Sequence, residues 1–178
     1  MQTYITLLRG INVSGQKKTP MAELRKLLSE SGLEQVQTYI QSGNVIFQSS
    51  EIETKTLESK IHESIKSHFG FEVPVLVLKP EELQQIFDDC PFPPDKKENS
   101  YFMMLYAKAD ETAVEEISKL SYPNEEFLIT DKAVYFYCSV GYGKAKMSNN
   151  FFERKLKVTA TARNYKTMVK LLSLSTEI

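Results

Sequence analysis

Apolar residues along this chain fall into short runs of two periods, separated by glycine, proline and small polar residues. Tyr4 to Arg9 reads as a strand. Thr19 is expected to cap and Pro20 to open a helix whose Met21, Leu24 and Leu28 share one face, and Gly32 stops it. Two β-rich runs follow, Val36 to Gln41 and Val45 to Phe47, separated by Ser42-Gly43-Asn44, which has the composition of a tight hairpin turn. Leu57, Ile61, Ile65 and Phe69 recur at four-residue spacing, so Thr54 to Phe69 is predicted as a second helix ended by Gly70. Pro74 to Leu78 is the last strand of this half. The order β-α-β-β-α-β predicts a ferredoxin-like unit, a four-stranded antiparallel sheet carrying two helices.

Lys79-Pro80-Glu81-Glu82 starts a further helix with acids in its first turn, and Cys90-Pro91-Phe92-Pro93-Pro94 breaks it. Beyond this break Tyr101 to Ala107 reads as a strand and Glu111 to Leu120 as a helix. Phe127 to Thr130 and Ala133 to Cys138 read as a hairpin turning at Asp131-Lys132. Helices near Asn149 to Lys155 and Asn164 to Leu174 close the chain, the latter with Tyr165, Met168, Val169 and Leu172 as a buried stripe. The expectation is an α+β protein of two subdomains. Residues 1–79 form the ferredoxin-like one, 80–99 a helix and Pro-rich linker, and 100–178 a related β-α-β-β-α unit ending in helices. The two halves share element order only, with no residues matching at a fixed period.

At 178 residues, 42% hydrophobic and 25% charged, the composition is that of a globular protein, and no apolar run is long enough for a membrane span. MQTYITLLRG lacks the pattern of a secretory signal, and Cys90 and Cys138 form no spaced motif, so a reducing cytoplasm is expected. The net charge of −1 conceals an uneven distribution. Residues 80–131 carry thirteen acids against four bases, whereas residues 140–178 carry eight bases against two acids. A basic C-terminal segment suits an anionic partner or neutralises the acidic middle.

Two loops carry the candidate chemistry. In LLRGINVSG and the residues after it, Arg9, Gly10, Asn12, Gly15, Lys17 and Lys18 lead from a strand to a helix N-terminus, where free N–H groups attract phosphate. The spacing of a Walker P-loop is absent. Gly141-Tyr142-Gly143-Lys144-Ala145-Lys146 repeats the arrangement, and with Arg154, Lys155, Arg163 and Lys166 among Tyr142, Phe151, Phe152 and Tyr165 it has a composition compatible with nucleotides or nucleic acid. RNA stacking on the sheet face is disfavoured, because Asn44-Val45-Ile46-Phe47 lacks the aromatic pair of RNA-recognition modules. His62 and His68, roughly 240° apart around a helix, cannot share a metal, and no metal site or cofactor is expected.

LLRGINVSG with PMAELRKLL, TYIQSGNVIF and the late KMSNNFFERKLKVTATARNYKTMVKLL together resemble the bacterial family catalogued as domain of unknown function 1697. The resemblance spans nearly the whole chain. It implies a small cytoplasmic protein of two α+β subdomains and brings no activity with it. Ser14 stands where members often have glycine, and Tyr165 where they often have tryptophan.

The leading functional expectation is binding of a phosphate-bearing ligand, nucleotide or nucleic acid, in a basic cleft between the subdomains. Arg9, Lys18, Lys144, Lys146 and Arg163 would supply charge, Gly10 flexibility, and Asn12 and Asn44 hydrogen bonds. An enzyme on a phosphorylated or nucleotide substrate, using Glu23 or Glu153 for proton transfer, is the second reading. The third is a protein-interaction or scaffold role through exposed sheet edges.

Overall fold

The structure is a computed structural model describing residues 1–178. Its elements run β1 (Gln2–Leu8), α1 (Met21–Glu30), β2 (Glu34–Tyr39), β3 (Asn44–Ser49), α2 (Thr54–Phe69), β4 (Val75–Leu78), α3 (Pro80–Asp88) and α4 (Pro94–Lys97). The chain continues through β5 (Tyr101–Leu105), α5 (Glu111–Ser118), β6 (Glu125–Ile129), β7 (Ala133–Cys138), a 3-10 turn (Tyr142–Lys144), α6 (Asn149–Leu156), β8 (Ala160–Asn164) and α7 (Tyr165–Ser175). It packs as two compact units, Met1–Gln84 with Lys170–Ile178, and Gln85–Val169.

The first unit is built on an antiparallel sheet ordered β2-β3-β1-β4. Alternation places Tyr4, Leu8, Val45, Phe47, Val75 and Val77 toward Leu24 and Leu28 of α1 and Leu57, Ile61 and Ile65 of α2. Gly70 ends α2 in a left-handed conformation, its N–H donating to the Lys66 carbonyl, the glycine-terminated helix end that the sequence predicts. The strands through Ile5, Thr38, Ile46 and Val77 share this one sheet.

The second unit is an antiparallel sheet ordered β6-β7-β5-β8. Met103, Leu105, Val134, Phe136 and Ala160 pack with Ile117 of α5 and with Phe152 and Leu156 of α6. Asp110 caps α5 by accepting from the Ala113 N–H, and Ser148 caps α6 by accepting from the Phe151 N–H.

The structure adds to the sequence reading at several points. β8 lies where only helices were expected, so the second unit also runs β-α-β-β-α-β before α7 begins. The Pro-rich segment 90–99 contains the one-turn helix α4, and Asn44 opens β3, leaving residues 40–43 as the turn. The buried positions of α7 are Thr167, Met168, Leu171 and Ser175; Val169 is exposed. No helix is long and apolar enough to cross a membrane.

Candidate functional site

The connection from β1 to α1 carries more unusual backbone than any other. Gly10, Asn12, Ser14, Gly15 and Lys17 all have positive φ, three of them non-glycine, at 53°, 50° and 47° for Asn12, Ser14 and Lys17. Each such non-glycine residue costs about 1 kcal/mol, so the conformation persists only because surrounding bonds hold it. Asn12 supplies most of them: its amide donates to the carbonyls of Thr19 (3.0 Å) and Gln41 (2.9 Å), and its Oδ1 accepts from the Thr19 N–H (2.8 Å). Lys17 donates to the Glu72 carbonyl at 2.7 Å. The Leu8 N–H donates to the Gly43 carbonyl at 2.8 Å, so the RGIN loop and the SGN turn meet at one end of the first sheet.

These bonds decide what the expected residues do. Asn12 is the tie of the loop, and the Asn44 amide donates to the Tyr39 carbonyl and the Ser42 hydroxyl, so both side chains hold their own loop and turn. Lys18 is exposed, Arg9 and Gly10 are half-buried, and α1 begins after Pro20 with no side-chain cap. Glu23 engages His68 at 2.5 Å, and His62 Nδ1 lies 2.9 Å from the Val73 carbonyl. The two histidines thus serve separate contacts.

In the second unit the glycine-flexed loop is already occupied. The Glu125 carboxylate accepts from the N–H groups of Lys146 (3.1 Å) and Met147 (2.8 Å). Tyr142 Oη accepts from the Asn149 N–H at 3.0 Å. An internal acid therefore sits where the sequence suggests an incoming anion. Lys144 and Lys146 are exposed, with the Lys146 ammonium 5.6 Å from the centre of the Tyr122 ring. Arg163 is buried, and its guanidinium donates to Thr161 Oγ1 (2.6 Å) and the Ala162 carbonyl (2.9 Å). Glu153 accepts from the Asn149 amide at 2.6 Å.

Beside that loop lies a feature the sequence did not disclose, a pocket of about 560 Å³. The start of β5, the end of β7 and the junction of β8 with α7 lie at the same end of the sheet, because Tyr101 pairs with both Phe136 and Asn164. This brings Tyr101, Tyr137, Tyr142 and Tyr165 around the pocket, with Lys166 and Glu98 as its charged residues. Tyr101 and Tyr142 stack with centroids 4.0 Å apart and ring planes 20° from parallel. Asn164 Oδ1 accepts from the Thr167 N–H at 2.9 Å, so α7 starts at the pocket with its third N–H capped. Tyr142, Tyr165 and Lys166 belong to the basic, aromatic C-terminal composition noted above. Tyr101 and Tyr137 could be associated with them only through strand register.

A profile of the family described as "Protein of unknown function (DUF1697)" matches residues 1–135. The chain belongs to this family. No protein of curated function matches it in sequence. Among solved structures, this DUF1697 member is similar to one described as conserved bacterial protein SP0830 from Streptococcus pneumoniae, at 25% identity and a TM-score of 0.73. That similarity covers 97% of this chain and 98% of the other.

Proposed function

We propose that this DUF1697 protein binds a small phosphate-bearing ligand of nucleotide type, without chemistry upon it, in the tyrosine-lined pocket of the second unit. The observation that carries the reading is the pocket itself. Its volume of about 560 Å³ lies within the roughly 300–1,000 Å³ of ligand sites, and it joins flat aromatic faces to a helix start bearing Lys166. The tyrosine rings suit a planar heterocycle, and the α7 N-terminus with Lys166 suits the phosphate. Cys138 and Ser139 border the pocket without a histidine among its lining residues to activate them, which favours binding over covalent catalysis. A second reading rests on a specific feature of the first unit. Exposed Lys18 adjoins the uncapped start of α1, and that loop takes the phosphate there.

A thermal-shift panel of ATP, GTP, inorganic phosphate and pyrophosphate tests both. A ligand at a hundred times its dissociation constant stabilises by about 2.7 kcal/mol, which for a chain of this length raises the melting temperature by roughly 5–10 °C. Binding in the pocket is lost in Lys166→Ala and Tyr101→Ala and kept in Lys18→Ala. Binding at the first loop shows the reverse. A panel without response at low salt overturns both readings.

A further inference from the structure

Each four-stranded sheet has two outer strands, and unpaired edges invite association unless they are blocked. Three of the four edges here are blocked by identifiable devices. β2 carries a register shift between Glu34 and Gln37, with Gln35 at φ 52°, a bulge that interrupts a regular edge. On β4 the outward N–H of Val77 donates to the Glu58 carboxylate at 3.1 Å. On β8 the outward carbonyls of Ala160 and Ala162 accept from the Asn149 amide and the Arg163 guanidinium, both at 2.9 Å.

β6 has no such device. The Ser139 N–H donates to the Asn124 carbonyl and the Thr130 N–H to the Ala133 carbonyl, which fixes the ladder parity. Glu126, Leu128 and Thr130 thus bond inward to β7, and Phe127 and Ile129 direct their N–H and C=O outward. A groove of about 570 Å³ runs along this edge, walled by Pro91, Phe92 and Leu120. Leu128 and Leu120 are 44% and 37% exposed. Phe92 contacts Tyr137, the partner of Glu126, so it lies on the Glu126 and Leu128 side.

We infer that the outer edge of β6 is a docking site for an extended segment of another protein in which basic residues alternate with apolar ones. Main-chain bonds to Phe127 and Ile129 add a fifth strand to the second sheet, and alternate side chains meet the two walls of the groove. Charge identifies the occupant. Glu126 is exposed on this strand, and the groove is lined by Glu125 and Glu126 and by no basic residue. A second copy brings two acidic edges together, whereas a lysine or arginine takes over the role that Lys96 now fills 2.6 Å from Glu126. The inference is independent of the pocket at α7.

The test uses capped eight-residue peptides and the full-length protein. A peptide alternating valine and lysine binds with a dissociation constant below 1 mM by fluorescence anisotropy and slows hydrogen exchange at the Phe127 and Ile129 amides, which are unprotected in the free protein. One alternating valine and glutamate, or the valine-lysine peptide N-methylated at alternate residues, binds at least tenfold more weakly. Leu128→Lys and Glu126→Lys, both surface changes that leave the ladder bonds in place, each weaken the valine-lysine peptide at least tenfold. Absence of binding, equal binding of the N-methylated peptide, or protection of both amides by self-association of the protein alone overturns the inference.

Discussion

Gly43→Ala tests whether the SGN turn shapes the first-unit loop or merely reverses the chain. Gly43 has φ 82°, and a Cβ there lies 2.6 Å from Leu8 Cβ, 3.1 Å from the Leu8 carbonyl oxygen and 3.3 Å from Ile11 Cδ1. The left-handed conformation costs alanine about 1 kcal/mol. Leu8 Cβ is fixed to a central strand and cannot rotate away, which adds about 1–3 kcal/mol of overpacking. The sum, about 2–4 kcal/mol, is a sizeable part of the roughly 5–15 kcal/mol that stabilises a folded domain. Gly15→Ala is the control, because φ is 74° there but no atom lies within 4 Å of the added Cβ. It loses only the conformational part. Differential scanning calorimetry should show Gly43→Ala melting roughly 4–16 °C below the parent, with Gly15→Ala much closer to it. Equal shifts for the two variants refute the close-approach argument.

Three further expectations are open to simple assays. The buried Tyr135 hydroxyl donates to the Ile86 carbonyl at 2.7 Å, and burial, with Asp89 and Cys90 nearby, raises its ionisation well above the ordinary tyrosine range. Burial favours the neutral phenol, so stability is unaffected by this group below the unfolded-state pKa of about 10 and falls as pH rises from there toward the higher folded value; alkaline denaturant titrations show this loss in the parent and not in Tyr135→Phe, which at neutral pH is less stable by about 1–3 kcal/mol for want of the hydrogen bond. Cys138 is buried, and burial pushes the Cys90 thiol up, so neither reacts quickly with iodoacetamide near neutral pH and Cys90→Ser with Cys138→Ser keeps the fold; rapid alkylation of the folded protein contradicts this. Replacing residues 12–17 with a short glycine-asparagine turn, which leaves the buried Ile11 in place, changes stability by only about 1–2 kcal/mol, since lost hydrogen bonds are offset by relief of three left-handed non-glycine residues; urea titration detecting a far larger loss shows that the loop is needed for folding.

The elements that were legible in the sequence are those whose side chains repeat their period. The four-residue spacing of Leu57, Ile61 and Ile65 leads directly to the buried face of α2, and the first ferredoxin-like unit follows from six segments with clear stops. β8 was not legible because Ala160-Thr161-Ala162-Arg163-Asn164 has no large apolar residue. Its burial comes from position beside β5 rather than from hydrophobicity. The α7 pocket was hidden for a related reason, since Tyr101, Tyr137 and Tyr165 are remote in sequence and only register unites them. Charge along the sequence does not disclose which loop N–H groups are already bonded. Glycine and lysine at 141–146 signalled an anion loop, yet Glu125, more than fifteen residues earlier, supplies the anion internally.

The two units share one strand order and one helix placement, so differences between equivalent connections are not demands of the topology. In the second unit β5 passes to α5 in five residues, 106–110, with Asp110 capping the helix. The equivalent connection in the first unit takes the twelve residues 9–20, holds five positive φ angles and leaves its helix without a side-chain cap. The opposite holds for the connection into the second helix of each unit: β3 reaches α2 through the four residues 50–53, and β7 reaches α6 through the ten residues 139–148. Each unit thus lengthens one connection that its counterpart closes briefly. The lengthened loop of the second unit supplies Ser139, Gly141 and Tyr142 to the tyrosine pocket, and that of the first is the strained Asn12-tied loop. Extra length and backbone strain both oppose folding, and a scaffold that closes without them gives no structural reason to keep them. The physical case for function in this protein therefore concentrates at those two connections, and the pocket and first-loop variants separate their contributions.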